Sequence, residues 1–215
     1  MTDMIFLGAT GHLQSVLDAA LATGLYRVAA ILDDRTPVGK EFIGHRVMGT
    51  TALLPELYKK GMRHVFVSAG SIGGYGNRKK WYELAKSLGF AVVNIIDPTA
   101  AVASNARFGE GVFVGKNAVV NAYAQVGNMA IVNTGSIVEH ADILEDYASI
   151  APGCTLCGGV KVEQGAHLGA GSTVLQEVTI GREALVGIGS VVTRDVPPRV
   201  VAFGNPCRVI RGIEE

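Results

Sequence analysis

The residues best suited to chemistry in this chain stand together at Glu139-His140-Ala141-Asp142. An imidazole takes up and returns a proton near neutral pH, so a histidine between two carboxylates is a candidate general base. A lone histidine is more often structural, but the context here argues against that. The hexad Ile137–Asp142 breaks a rule that its neighbours keep. Glu139 fills a place often given to glycine, and Asp142 fills one otherwise free of charge. A carboxylate at an inward-facing position is costly unless hydrogen bonds satisfy it, so the break reads as functional. His167 is the contrast: it holds an ordinary first position in a regular hexad and reads as a surface residue. With only His140 and His167 in this half of the chain, on different hexad positions, a three-histidine zinc site is not expected.

The rule being broken is a six-residue period from Ala101 to Val196. Every second position from Val102 to Val192 is apolar, and nearly every sixth position is small or short, as at Ala106, Ala118, Ala130, Cys154 and Ser172. Third positions are often glycine (Gly109, Gly115, Gly127, Gly169, Gly181, Gly187) or asparagine (Asn121, Asn133), which predicts left-handed backbone at those corners. So short and unbroken a period predicts a β-solenoid, in which each turn buries its apolar face on the next. Such a scaffold is uniform, so chemistry is expected where it is violated. Pro197-Pro198 ends the repeat, and Val200–Ile213 forms a tail containing Gly204-Asn205-Pro206. Cys154 and Cys157 form a CxxC inside the repeat with no second pair, and read as packing rather than metal ligation.

Residues 1–98 follow another rhythm. Strands are predicted at Met4–Gly8, Val28–Leu32, near Val47, at His64–Ala69 and at Ala91–Ile96. Helices are predicted at Leu13–Thr23, stopped by Gly24, at Thr51–Lys60 and at Asn77–Leu88. This βαβ order implies a small parallel sheet with ligands at the carboxyl ends of its strands. Three loops gather there. Gly8-x-x-Gly11 precedes a helix, where backbone amides meet an anion, although Leu13 replaces the third glycine of a full dinucleotide fingerprint and a tight turn explains it as well. Asp33-Asp34 is placed to accept hydrogen bonds from a base or ribose, or to form a solvated turn. Gly70–Arg78 is glycine-rich and ends in a cation. Three such loops on one edge favour a ligand site.

Composition narrows the classes. The 215 residues suffice for two modest domains, and 48% apolar content marks a globular chain. The 19 basic and 19 acidic side chains cancel, so no nucleic-acid partner is expected. The longest apolar runs are strand-sized, so no membrane insertion is expected, and the absence of a leader pattern favours the cytoplasm.

The chain resembles the bacterial NeuD/PglD-like sugar acyltransferases, the sialic-acid O-acetyltransferase and bacillosamine-pathway N-acetyltransferase group. The likeness rests on Gly8-Ala9-Thr10-Gly11-His12, Ile31-Leu32-Asp33-Asp34, Gly76-Asn77-Arg78, Asn133-Thr134-Gly135-Ser136-Ile137-Val138-Glu139-His140, Ala151-Pro152-Gly153 and Gly204-Asn205-Pro206. It implies a Rossmann-like α/β domain over residues 1–98 that binds a nucleotide-linked sugar. Residues 99–215 would be an all-β left-handed parallel β-helix of hexapeptide repeats, the acyltransferase domain with its C-terminal tail. It also implies a homotrimer with acetyl-CoA in the clefts between subunits and no metal. Carried over, His140 is the general base and the Gly158 amide faces the thioester carbonyl; because Ala141 stands where relatives carry an acid, Glu139 or Asp142 is expected to orient His140 instead. The resemblance places the sugar nucleotide at Gly8, Gly11, His12, Asp33, Asp34, Asn77 and Arg78. Pantetheine and the CoA phosphates run by Gly169, Gly187, Asn205, Pro206 and Arg208.

Two departures stand out. Relatives commonly place an acid directly after the histidine, where this chain has Ala141, and often a second histidine where it has Ser149 at the substrate site. The Ser71–Gly76 stretch is also longer than usual. The activity implied is acetyl-CoA-dependent N-acetylation of a nucleotide-linked amino-dideoxy sugar, such as a 4-amino-4,6-dideoxyhexose. The alternatives are O-acetylation of a sialic acid or related sugar, and a non-catalytic binding solenoid.

Overall fold

The structure is a computed structural model that describes residues 1–70 and 74–213. The chain divides into two compact units, residues 1–70 with 76–98 and residues 71–75 with 99–215. Of the glycine-rich stretch Gly70–Arg78, Ser71, Ile72 and Gly73 lie outside the described residues. Among the described residues no helix is long and apolar enough to cross a membrane.

The first unit is built around β1 (Thr2–Leu7), whose residues Met4 to Leu7 are fully buried. It pairs in parallel with β2 (Tyr26–Leu32) on one side. On the other side it pairs in parallel with β5 (His64–Val67). Beyond β2 come β4 (His45–Gly49) and β3 (Glu41–Phe42); beyond β5 comes β6 (Ala91–Val92). The sheet is mixed rather than wholly parallel. β3 runs antiparallel to β4, because Ile43 and Gly44 both have positive φ (47° and 74°) and close a tight hairpin. The helices are α1 (Gly11–Ala22), α2 (Leu54–Lys59), which follows a 3-10 turn at Thr51–Leu53, and α3 (Gly76–Ser87). The single strand predicted over Ala91–Ile96 is two, Ala91–Val92 and Ile95–Ile96, parted at Val93-Asn94 where the polar Asn94 interrupts the apolar run. Neighbours β2 and β5 leave β1 on opposite sides, which creates the crevice at the carboxyl ends where ligands of such sheets bind.

The second unit is a left-handed β-helix. Two-residue strands recur at each hexad and stack in parallel on the strand eighteen residues away, so three hexads make one coil and three sheets make its faces. Second-position side chains fill the interior: Val114, Val120, Val132, Val138, Ile150, Leu156 and Val162 are all fully buried. One face is extended by Val200–Phe203 in parallel, and Arg208–Gly212 returns antiparallel on it.

The glycines hold the corners differently from the prediction. Left-handed backbone falls at the fifth position, as at Gly135 (φ 64°), Ala141 (60°) and Tyr147 (63°). The third-position glycines answer to space instead. A Cβ on Gly115 would stand 2.7 Å from the Thr134 amide nitrogen, and one on Gly127 would stand 2.7 Å from that of Asp146. The next coil passes too close for a side chain.

Candidate active site

His140 occupies the fourth position of its hexad, at a corner of the coil where the strand Ile137–Val138 has ended. It is exposed in the single chain. Its ring lies over Gly158, the residue below it in the next coil. A Cβ on Gly158 would be only 2.5 Å from His140 Nε2 and 3.0 Å from Nδ1, so the imidazole uses the space that glycine leaves. The Gly159 amide donates to the His140 carbonyl at 3.0 Å, and the Ala141 amide donates to the Ala122 carbonyl at 3.0 Å. The corner is thus tied to the coils on both sides.

Among the described residues neither flanking carboxylate reaches the imidazole, contrary to the expected orienting contact. Glu139 Oε1 accepts from Asn121 Nδ2 (2.8 Å), and Oε2 accepts from the His140 backbone amide (3.0 Å). Asp142 is fully buried. Its Oδ2 accepts the Glu139 amide (2.8 Å) and its Oδ1 the Val160 amide (2.8 Å). Burial, aided by the charge of Glu139, pushes the Asp142 carboxyl up to about 7 against the opposing pull of those amides. Both carboxylates shape backbone, and Asn121 and Val160 are the partners that sequence reasoning missed. Each lies eighteen residues from the residue it serves, a spacing visible only once the coil length is known.

In the first unit the predicted residues gather at the carboxyl edge of the sheet. Gly8 has φ 106°, and a Cβ there would stand 2.9 Å from Trp81 Cζ3 and 3.0 Å from the Ala69 nitrogen. Gly11 opens α1 with space around it. Asp33 is turned inward, correcting its reading as an open acceptor. It takes the Ala9 amide at 2.8 Å, and the Arg35 and Thr36 amides at 2.8 and 2.7 Å. Burial alone would raise this carboxyl, yet the three amides outweigh it and hold it below its usual range. Asp34 accepts from the Thr51 amide and hydroxyl (2.9 and 2.7 Å) and from Trp81 Nε1 (3.3 Å), with Lys80 3.6 Å away. The acidic pair therefore locks the loops after β1 and β2 together and ties them to α3. Arg78 is 2% exposed, an inward cation rather than a surface one, while Asn77 beside it is exposed. Desolvation first, then the Arg78 charge, lower His12 to about 4, so its imidazole is neutral at physiological pH.

The remaining predicted residues are distributed around the coil. Ser149 is buried on a different face from the strand preceding His140, in register with Ile131 and His167. His167 is half-buried, with Nδ1 shielded from solvent, where a free surface residue was expected. Gly169 and Gly187 stack on an edge other than that of His140, where Cβ atoms would meet the Ile188 nitrogen (2.6 Å) and Phe203 Cβ (2.7 Å). Arg194 lies on the His140 edge three coils along. It joins Asp195, Cys207 and Arg208 around a cavity of about 210 Å³ at the tail, next to the cis Asn205–Pro206 bond. Cys154 is buried and donates to the Gly169 carbonyl at 3.0 Å, as packing requires. Among the described residues no group of three or more His, Cys, Asp or Glu is arranged to hold a metal.

One cluster escaped the sequence. Tyr75 stacks on Tyr147 with ring centroids 4.8 Å apart and donates to Glu183 Oε1 at 3.1 Å. Nothing in the hexad pattern marks Tyr147 or Glu183 as partners of a residue outside it.

Comparison with known proteins gives consistent results. Residues 3–85 match the PglD N-terminal domain. A mutant of perosamine N-acetyltransferase from Caulobacter crescentus, in complex with CoA and GDP-perosamine, is 36% identical over 98% of both chains, with a TM-score of 0.92. The acetyltransferase domain of PglB from Neisseria gonorrhoeae, in complex with acetyl coenzyme A, is 31% identical over 97% of this chain and 98% of that one, with a TM-score of 0.88. A GDP-perosamine N-acetyltransferase from Escherichia coli O157:H7 is 28% identical over 139 residues, 65% of this chain and 61% of the relative. With a PglD N-terminal domain ahead of a hexapeptide-repeat β-helix, the chain belongs to the PglD- and perosamine-type family of sugar N-acetyltransferases.

Proposed function

We propose that this protein transfers an acetyl group from acetyl-CoA to the amino group of a nucleotide-linked amino-dideoxy sugar, a 4-amino-4,6-dideoxyhexose of the perosamine kind. The observation that carries the reading is the His140 imidazole laid on Gly158, in a chain that matches a CoA- and GDP-perosamine-bound enzyme over nearly its whole length. In this reading the sugar amine attacks the thioester carbonyl while His140 accepts the amine proton. The carbon–sulfur bond then breaks, and His140 returns the proton to the departing thiolate. The Gly158 amide supports the oxyanion. Glu139 and Asp142 hold the corner. Coils stack about 4.8 Å apart, so Arg194, with Arg208 beside it, lies roughly 14 Å along the edge from His140. That span suits the pantetheine arm, with the guanidinium groups toward the CoA phosphates.

Gly169 and Gly187 lie on another edge, which supports a homotrimer in which one protomer's His140 edge faces a different edge of its neighbour. The first unit would hold the sugar nucleotide, with the Gly8–His12 loop at the diphosphate, Asp33 and Asp34 fixing the loops near the base, and Asn77 at the substrate. A cytoplasmic location is part of the same reading.

The test is thiol release from acetyl-CoA with GDP-perosamine, other nucleotide-linked amino sugars and sialic acid. Acceptor-dependent release is expected with an amino sugar, and His140→Asn should lower kcat by about 10²- to 10⁴-fold. A solution mass of three 22.5 kDa chains is expected. No acceptor-dependent release, or a fully active His140→Asn, refutes the reading.

A further inference from the structure

The hydrogen-bond pattern of the coil is regular enough to show one residue that alters it. From Ala103 to Leu175, third-position amides donate to the second-position carbonyl of the next coil: Asn121 to Val138, Asn133 to Ile150, Glu145 to Val162 and Cys157 to Val174. Glu139 departs from this pattern. The acceptor the pattern assigns to it is the Leu156 carbonyl, yet its amide donates to Asp142 Oδ2. Most sixth-position amides turn back on the carbonyl three residues earlier, as Ala148 does to Glu145 and Ala166 to Glu163. Among the described residues Val160, like Val178 and Ser190, makes no such bond, and its amide donates instead to Asp142 Oδ1.

The two diverted amides flank the residues that matter. Glu139 immediately precedes His140, and Val160 follows Gly158-Gly159, the shelf beneath the imidazole. One buried carboxylate thus joins the stretch carrying the base to the stretch carrying the shelf. Asn121 secures the Glu139 head from the coil before, leaving its second oxygen for the His140 amide. The coil itself does not need the carboxylate, since Ala118, Ala124, Ala148 and Ala166 fill the equivalent position elsewhere and are fully buried. Burying a charge there is unfavourable for stability alone.

The geometry points to Asp142 as a positioning residue for His140. It acts through backbone rather than on the ring, clamping the His140 corner to the Gly158–Val160 stretch so that the imidazole stays on its shelf. Its consequence for catalysis rests on the acetyltransferase reading above. It also accounts for Ala141. The position directly after His140 has left-handed backbone (φ 60°) and carries no acid, and the carboxylate stands one residue further on, where it faces inward.

The test uses Asp142→Ala and Asp142→Asn in the full chain, with acetyl-CoA and GDP-perosamine as substrates. Asp142→Ala should lower kcat about 10- to 100-fold with KM for acetyl-CoA within about threefold, and without a lower melting temperature at pH 8. Asp142→Asn turns an N–H donor toward one of the two amides and should lose at least as much. In a crystal structure of Asp142→Ala, the Glu139 amide should return to the Leu156 carbonyl and the ring should move off Gly158. A kcat within twofold of the unmodified chain, a loss that only tracks melting, or an unmoved ring overturns the proposal. If the unmodified chain turns over none of the nucleotide-linked amino sugars, the functional reading fails, and the crystal structure alone decides the clamp.

Discussion

Gly158→Ala isolates the position of the imidazole from the integrity of the fold. The added Cβ would lie 2.5 Å from His140 Nε2, whereas carbon makes its best contacts at about 3.5–4.0 Å. The ring must therefore give way by about 1 Å. Gly158 is not among the residues with positive φ, so alanine fits its backbone, and the close atoms belong to a side chain that can swing aside. The fold should lose little, on the order of 0.5 kcal/mol or less, as for a surface substitution. Catalysis should lose much more, because a misplacement of about 1 Å costs roughly 10²-fold, equivalent to about 2.7 kcal/mol of transition-state stabilisation. The assay is steady-state thiol release at saturating acetyl-CoA and GDP-perosamine, alongside thermal melting of the same preparation. A kcat within threefold of the unmodified chain would refute the reasoning, and so would a loss of activity matched by collapse of the melting temperature.

Two further outcomes follow from the same geometry. Gly115→Ala brings a Cβ against backbone on the next coil and should destabilise by about 1–3 kcal/mol, read as a lower denaturant midpoint. Gly135→Ala, left-handed but surrounded by space, should lose about 1 kcal/mol, and a reversed order would show that conformation rather than clearance governs these corners. Asp142 also links stability to pH. Its folded carboxyl titrates near 7 against an ordinary 3.8, so between those values the native state keeps a proton that the unfolded chain has released. Stability from this group therefore falls as pH rises from about 4 to 7, by an amount on the order of 4 kcal/mol. The melting difference between Asp142→Ala and the unmodified chain should shift in the variant's favour between pH 5 and pH 8. A difference independent of pH would place the carboxyl's titration elsewhere.

The six-residue period determined the solenoid without help from tertiary structure, because an apolar second position must face inward whatever surrounds the coil. The same regularity made Glu139, His140 and Asp142 conspicuous. The βαβ rhythm likewise fixed the sheet of the first unit and the edge where its loops meet, while the antiparallel β3 left no trace in an apolar pattern, and Asn94 was the one mark of the division of Ala91–Ile96. What the period could not say is how many hexads close one coil. Three do, and that number alone sets Gly158 beneath His140, Asn121 beside Glu139 and Val160 against Asp142. Clearance between coils, likewise a three-dimensional quantity, decided that third-position glycines answer to crowding while the fifth positions carry the left-handed backbone. A periodic sequence specifies which side of each residue is buried; only closure of the chain on itself specifies which residue it is buried against.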